Sequence, residues 1–400
     1  MRLKNLKYLL CAFVLFSLGC IEEIPLEADT SQGILVVEAL ISNKLIRQKV
    51  KLTRSFTLEQ SIPEFEENAN VKVVGDDGSS FIFSEVSEGN YLSNSPFAAQ
   101  PGVKYMLDIT TQDGQNYRSE EEQIIGTSEI DNVDAKRTQN RDGETGVLIT
   151  VDGQSSAENG FYLYQYTETY KIISPNQVNE DLTYTKIDNS TYVFELVPKQ
   201  KEEKICYNTN IGNSILVAST EGLQDKRVRD FELRFLSQEN PNIAHRYSIN
   251  VSQYVVSNAT FRFYSTLKEL SQSSNVFVQN QPGFLEGNLY EVGNRDNKVI
   301  GFFSVVSLAE KRIFFDYEDF FPSEEDEKIK GSFAGNCDPT RPLSDELGRL
   351  LERGSVKFLE DMIIPEPDHP EGGGVYRVVP TRCMDCTVHG TNIKPDFWIE

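Results

Sequence analysis

Cys383, Cys386 and His389 are the closest-spaced metal-ligand side chains of this 400-residue chain, in the pattern Cys-x-x-Cys-x-x-His. Zinc wants four nitrogen or sulfur ligands, and Cys206 or Cys337 could complete the set. A covalently attached haem needs histidine directly after the second cysteine, where Thr387 stands. A redox dithiol needs a thioredoxin-like βαβ setting, and no such alternation surrounds these residues. Hydrolysis by serine or cysteine needs a nucleophile, a base and an oxyanion hole. The only imidazole bases are His245, His369 and His389, and no Gly-x-Ser-x-Gly elbow occurs. Gly331-Ser332-Phe333-Ala334-Gly335 has the two glycines but its serine one place early. Sixty-one acidic residues offer many carboxylate pairs for glycoside hydrolysis, and that abundance singles out none. Glu324-Glu325-Asp326-Glu327 lacks the spacing and glycine of an EF-hand, so a solvated loop is expected there. Gly372-Gly373-Gly374, behind Pro367 and Pro370, reads as a loop without a phosphate motif. These readings point away from catalysis, and no metal or cofactor is expected.

A different cysteine chemistry stands at the other end. Arg2, Lys4 and Lys7 precede an apolar run from Tyr8 to Leu18, then Gly19-Cys20. A basic start, a short apolar stretch and a small residue make a secretory signal. The run is too short to span a bilayer, which needs about 20 apolar residues. With cysteine directly after the small residue, Ser17-Leu18-Gly19-Cys20 resembles the lipobox of a bacterial lipoprotein, with Ser17 where leucine is commonest. The resemblance implies that residues 1–19 are a leader, that Cys20 carries a diacylglyceryl group, and that the new N-terminus is acylated. Several acyl chains, each buried CH₂ contributing about 0.8 kcal/mol, hold a domain firmly on outer-membrane lipid. Ile21-Glu22-Glu23 is similar to the acidic export signal of Bacteroidetes surface lipoproteins. Glu22 and Glu23 therefore favour the cell surface over the periplasmic face. In an exported chain Cys206, Cys337, Cys383 and Cys386 are expected as two disulfides, with three pairings open.

The charge excludes other partners. Lys and Arg number 39 against 61 acids, a formal net charge of −22, and the leader takes Arg2, Lys4 and Lys7 with it. Nucleic acid and anionic membrane surfaces both demand a cationic face, so neither is expected. Solubility on a crowded surface accounts for the acidity.

The elements that would position these groups read as mainly β. Residues 20–32 are polar and aperiodic, a tether. From Gly33 onward, Ile34–Ile41, Val50 and Leu52, Val71–Val74, Phe81–Phe83, Gly89–Leu92 and Tyr105–Ile109 are short strands between turns such as Gly75-Asp76-Asp77-Gly78. Such a series suggests an immunoglobulin-like β-sandwich over residues 33–128, with its boundary near Gly126 to Asn132. A larger β-rich domain follows at 129–400. Gly146–Val151, Phe161–Tyr166, Phe231–Phe235 and Tyr247–Val251 alternate as half-buried strands. Val299–Val306 and Arg312–Phe315 read as two buried strands. Phe261, Tyr264, Leu267 and Leu270 recur at helical spacing, predicting a helix over 258–270, and a second helix is expected over 343–359.

Taken in order, several pieces resemble a family of Bacteroidetes lipoproteins known as a domain of unknown function, DUF4249. They are Leu35-Val36-Val37-Glu38, Gly89-Asn90-Tyr91, Gly102 with Tyr105, Phe284-Leu285-Glu286-Gly287-Asn288-Leu289, Gly301-Phe302-Phe303-Ser304-Val305, Lys311-Arg312, Cys383-Met384-Asp385-Cys386 and Lys394–Trp398. That spread covers the whole mature chain. The resemblance implies an outer-membrane lipoprotein, often in the company of a TonB-dependent transporter, and carries no catalytic residue. A non-enzymatic binding or accessory subunit is therefore the expectation. Its alternatives are a surface adhesin or structural lipoprotein, and a carboxylate-based carbohydrate-active enzyme. The partner surface is expected in the C-terminal domain, with its cysteines and its single tryptophan, Trp398.

Overall fold

A computed structural model describes residues 33–55, 64–157, 160–272, 285, 287–362 and 373–400. Cys20, Glu22, Glu23, His369 and the prolines before the triple glycine lie outside the described residues. The architecture is mainly β, as expected.

The first unit contains β1 (Leu35–Ser42), β2 (Lys49–Arg54), β3 (Glu64–Phe65), β4 (Asn70–Gly75), β5 (Ser80–Ser87), β6 (Asn90–Ser93), β7 (Tyr105–Thr110) and β8 (Asn116–Ser119). Apolar residues alternate along them, so one face of each strand turns inward. Val37, Ile41, Leu52, Val73, Leu107 and Ile109 share one core. Residues 33–128 do not fill that core alone. Leu289 of β18 (Leu289–Glu291) and Phe303 and Val305 of β19 (Ile300–Phe315) complete it.

β19 ties the fold together. Two separate strands are expected over this stretch, yet it is one strand of 16 residues. Its first half pairs parallel with β1, from Val36 opposite Ile300 to Ser42 opposite Val306. Its second half pairs antiparallel with β17 (Tyr247–Val255), from Ser307 opposite Val255 to Phe315 opposite Tyr247. Residues 307–311, with Ser307, Glu310 and Lys311 among them, continue the ladder because β17 supplies backbone partners throughout.

The second unit is a sandwich of two hydrogen-bonded sheets. One holds β9 (Ser128–Gln139), β10 (Thr145–Ser155) and β16 (Arg227–Ser237) in the order β16-β10-β9. The other holds β14 (Ile205–Ile211), β11 (Phe161–Ile173), β17 and β19, with β15 (Leu216–Ser219) beside β11. Between them lie Val147, Ile149, Tyr162, Tyr164, Tyr247 and Ile249, nearly all inaccessible to solvent. Through β19 and β1 the second sheet runs on into the first unit, a continuous ladder of fourteen strands.

Helix α1 (Asn258–Gln272) matches the predicted helix and covers the outer face of this sheet, Phe261 on Phe161 and Phe263 on Phe302. Two short helices follow β19, α2 (Tyr317–Phe320) and α3 (Glu324–Ile329). The acidic run expected as a solvated loop is thus the first turn of α3. Ser323 caps it, and buried Asp326 accepts from Gln238 at 2.9 Å and meets Arg137 at 3.1 Å. Acids suit a helix N-terminus, where backbone N–H groups point outward. The expected helix over 343–359 is shorter, α4 (Ser344–Glu352). Gly354, at φ +64°, ends it: the Gly354 and Ser355 amides donate back to Leu351 and Leu350. The chain then turns into β20 (Val356–Asp361), paired with β21 (Tyr376–Pro380).

A polar seam joins the units. Asn288 lays its side-chain amide along β19, accepting from the Phe303 N–H at 2.9 Å and donating to the Phe303 carbonyl at 2.8 Å. Gly287 and Gly301 permit this approach. A Cβ on Gly287 would fall 1.6 Å from the Gly301 carbonyl oxygen, and one on Gly301 would fall 2.0 Å from that of Val37. Nearby, Ser257 Oγ accepts from the Thr260 N–H and caps α1, and it donates to Glu122 at 3.3 Å. Thr260 and Ser304 join hydroxyls at 3.0 Å.

Candidate functional site

The four C-terminal cysteines form two disulfides, Cys206–Cys386 and Cys337–Cys383, with Cα–Cα distances of 5.6 and 5.7 Å. Each cysteine of the Cys-x-x-Cys pair thus belongs to a different bridge. Both bonds follow from local backbone. Cys383 ends one 3-10 turn (Thr381–Cys383) and Cys386 begins the next (Cys386–Val388), so their side chains leave in different directions. Cys386 meets Cys206 on β14, the edge of the sandwich sheet, and Cys383 meets the loop after α3.

These bonds fasten a C-terminal module to the sandwich edge. It includes the hairpin of β12 (Glu180–Lys186) and β13 (Tyr192–Pro198), together with α4 and the β20–β21 hairpin. Leu182, Leu347, Phe358 and Val378 form its core, with Phe194 and Tyr376 against them. An ion cluster stands beside the bridges. Buried Glu203 lies 2.9 Å from Lys199 and 2.5 Å from Lys357, and Lys357 lies 3.5 Å from Asp385. Burial alone would lower the Lys357 pKa, but the hydrogen bond and charge of Glu203 outweigh it and raise it. Burial would raise Asp385, and hydrogen bonds from Thr387 with the charge of Lys357 bring it below the ordinary value instead. Both groups stay charged at neutral pH.

His389 does not join a metal cluster. Its carbonyl accepts from Asn208 at 2.7 Å, and its ring lies 5.5 Å from Phe333. Among the described residues, no group of three or more His, Cys, Asp and Glu is placed to hold a metal ion. His245 and His389 both line a cavity of about 30 Å³ beside Cys386, room for a single water. Burial, with the charges of Lys330 and Lys171, lowers His245 to about 4, so it is neutral at physiological pH. Serine of the glycine-flanked 331–335 stretch, Ser332, lines the same small cavity.

Trp398 is only 5% exposed, with its ring 5.0 Å from Tyr207 and 5.7 Å from Phe314. It seals the end of the sheet instead of offering a contact. The exposed apolar side chains of this region are its neighbours Val388, Ile393, Phe397 and Ile399. Sequence reasoning missed them because isolated aliphatics in a loop carry no periodic signal. Arg312 covers one face of Phe397, 3.7 Å from the ring centroid.

The module is remote from the start of the fold. β19 begins beside β1 and ends beside Tyr247, at the module's side of the sandwich. Fifteen steps of about 3.3 Å separate those ends by up to about 50 Å.

Among known proteins, no curated protein and no solved structure matches the chain. A family model described as a domain of unknown function, DUF4249, matches residues 21–312. The match closes inside β19, so the Cys383–Cys386 and Lys394–Trp398 pieces of the expected resemblance lie beyond it. Within it lie α1, the Asn288 seam and both sheets of the sandwich up to Arg312 of β19, and the chain belongs to the DUF4249 family.

Proposed function

We propose that this protein is a lipid-anchored binding subunit without chemistry of its own, serving an outer-membrane TonB-dependent transporter through its C-terminal module. The observation that carries the reading is the placement of that module. A chain held at Cys20 enters the fold at Gly33, next to the start of β1. The disulfide-fastened module lies at the other end of β19, about 50 Å along the strand. Two covalent bridges keep its loops ordered before contact, which lowers the entropy cost of association. Ile393 and Ile399, 72% and 61% exposed, are among the apolar side chains it presents. The first unit then acts as a spacer.

The test is a pull-down from detergent-solubilised outer membranes with the full-length lipoprotein. The parent is compared with the pair Ile393→Asp and Ile399→Asp, and with the pair Ile82→Asp and Val86→Asp on exposed β5 positions of the first unit. Recovery of a large barrel by the parent and the β5 pair, and its loss with the module pair, supports the assignment. Loss with the β5 pair alone moves the contact to the first unit. No barrel with the parent overturns the transporter reading.

A further inference from the structure

The small cavity beside Cys386 runs against the composition of the chain. It lies where the end of β11, the 331–334 loop and the disulfide-bearing 3-10 turns meet. Acids outnumber Lys and Arg by 61 to 39 over the whole sequence. Yet among the described residues no acid lines this cavity, whereas Arg382, His245 and His389 all do. Its volume of about 30 Å³ admits one occupant the size of a water molecule or a chloride ion, and excludes a carboxylate or phosphate group.

Three side chains say which sign of occupant it suits. His389 Nε2 is buried and has no hydrogen-bond partner among the described residues. Buried polar atoms are nearly always paired with protein, an ordered water or an ion, so this nitrogen calls for one. Arg382 gives its Nε–H to the Ala334 carbonyl at 2.6 Å and an Nη–H to that of Asn336 at 3.2 Å. Among the described residues no carboxylate pairs with it, so its charge is not neutralised locally. Ser332 accepts from the Ala334 N–H at 3.2 Å, which leaves its own hydroxyl hydrogen to donate. The cavity is thus rich in donors and bordered by a positive charge. A water molecule would satisfy the donors and leave the Arg382 charge as it is, whereas a single-atom anion answers both.

We infer that this cavity is a halide site, taking chloride, which accepts from His389 Nε2–H and the Ser332 hydroxyl beside Arg382. The ion selects the His389 tautomer with its proton on Nε2. It adds a third, non-covalent clasp between the disulfide-bearing turns and the sandwich edge. Its binding does not depend on the transporter.

Two measurements on the full-length mature protein test it. Crystals grown with sodium bromide in place of chloride should show an anomalous bromine peak within hydrogen-bond reach of His389 Nε2. A water there, with no anomalous signal, overturns the site. In solution, chloride or bromide exchanged for gluconate at constant ionic strength should raise the urea midpoint saturably, because gluconate is too large to enter. His389→Phe should abolish that halide-specific rise with both disulfides intact. Arg382→Gln should weaken the halide affinity about tenfold, the scale of one partly screened charge contact, and gives a readout if the His389 variant fails to fold. Equal midpoints in chloride and gluconate, or a halide effect that Arg382→Gln leaves untouched, overturn the assignment.

Discussion

Replacing Glu122 with glutamine should stabilise the protein at alkaline pH and change little at acid pH. The Glu122 side chain lies in the seam between the two units, where it accepts from the Ser257 hydroxyl at 3.3 Å. Burial raises its pKa from an ordinary 4.5 to about 7, with the Ser257 hydrogen bond opposing only part of the shift. A carboxyl whose folded pKa exceeds its unfolded value makes the folded state the stronger proton binder between those two values. Stability is therefore greatest below about 4.5, falls as pH rises through the window, and stays low above about 7. The rise from 4.5 to about 7 corresponds to at most about 3 kcal/mol. Glutamine keeps an oxygen for Ser257 and carries no charge. Urea denaturation of both proteins from about pH 5 to about pH 8.5 reads the difference directly. His245 is neutral across this range, and the low-lying carboxylates such as Asp385 and Glu400 are already ionised in both proteins. The stability gap between variant and parent should widen with pH by up to about 3 kcal/mol. Parallel curves, or a variant weaker by the same amount at every pH, would refute the argument that charge burial in this seam is costly.

Other consequences can be measured as directly. Cys20→Ser should release the protein from membranes, read by fractionation; retention through high salt would sink the lipid anchor unless a protein partner holds it. Thiol titration of the unfolded mature chain should find four further thiols only after reduction, and breaking the bridges should cost about 4 kcal/mol for the 46-residue separation and about 5 for the 180-residue one in the chain-entropy model. Gly301→Ala puts a Cβ against the Val37 carbonyl at a backbone angle of +126° that side chains rarely adopt, so a loss of at least about 3 kcal/mol is expected in chemical denaturation. Glu22→Ala with Glu23→Ala should leave acylation intact and remove display, read by protease shaving of whole cells; equal shaving of variant and parent would reduce the two acids to part of a polar tether.

How much of this was legible beforehand depends on which physical signal each segment carried. Strands with one buried face, such as β1 and β17, announce themselves by alternation, and α1 by the spacing of Phe261, Tyr264 and Leu267. β12 was invisible because Glu180–Lys186 buries only Leu182. The stop in α4 was written in Gly354, but a glycine in a periodic stretch is weighed against the leucines around it, and Leu350 and Leu351 carried the reading too far. The disulfide pairing needed the fold itself, since adjacent cysteines on consecutive 3-10 turns reach opposite ways. The deepest gap concerns β19. Its first seven residues are apolar on both faces because α1 covers one and the first unit's core fills the other. Ser307 and the charged run Glu310-Lys311-Arg312 that follows look like a break in the pattern. Hydrogen bonding to β17 does not depend on side-chain type, so nothing in residues 307–311 could report that the strand continues. That continuity is what unites the two units in one ladder, and it has a cost for experiment. A fragment ending at residue 128 would lose Leu289, Phe303 and Val305 from its core, so the roles of the two units must be separated by surface substitutions in the intact chain.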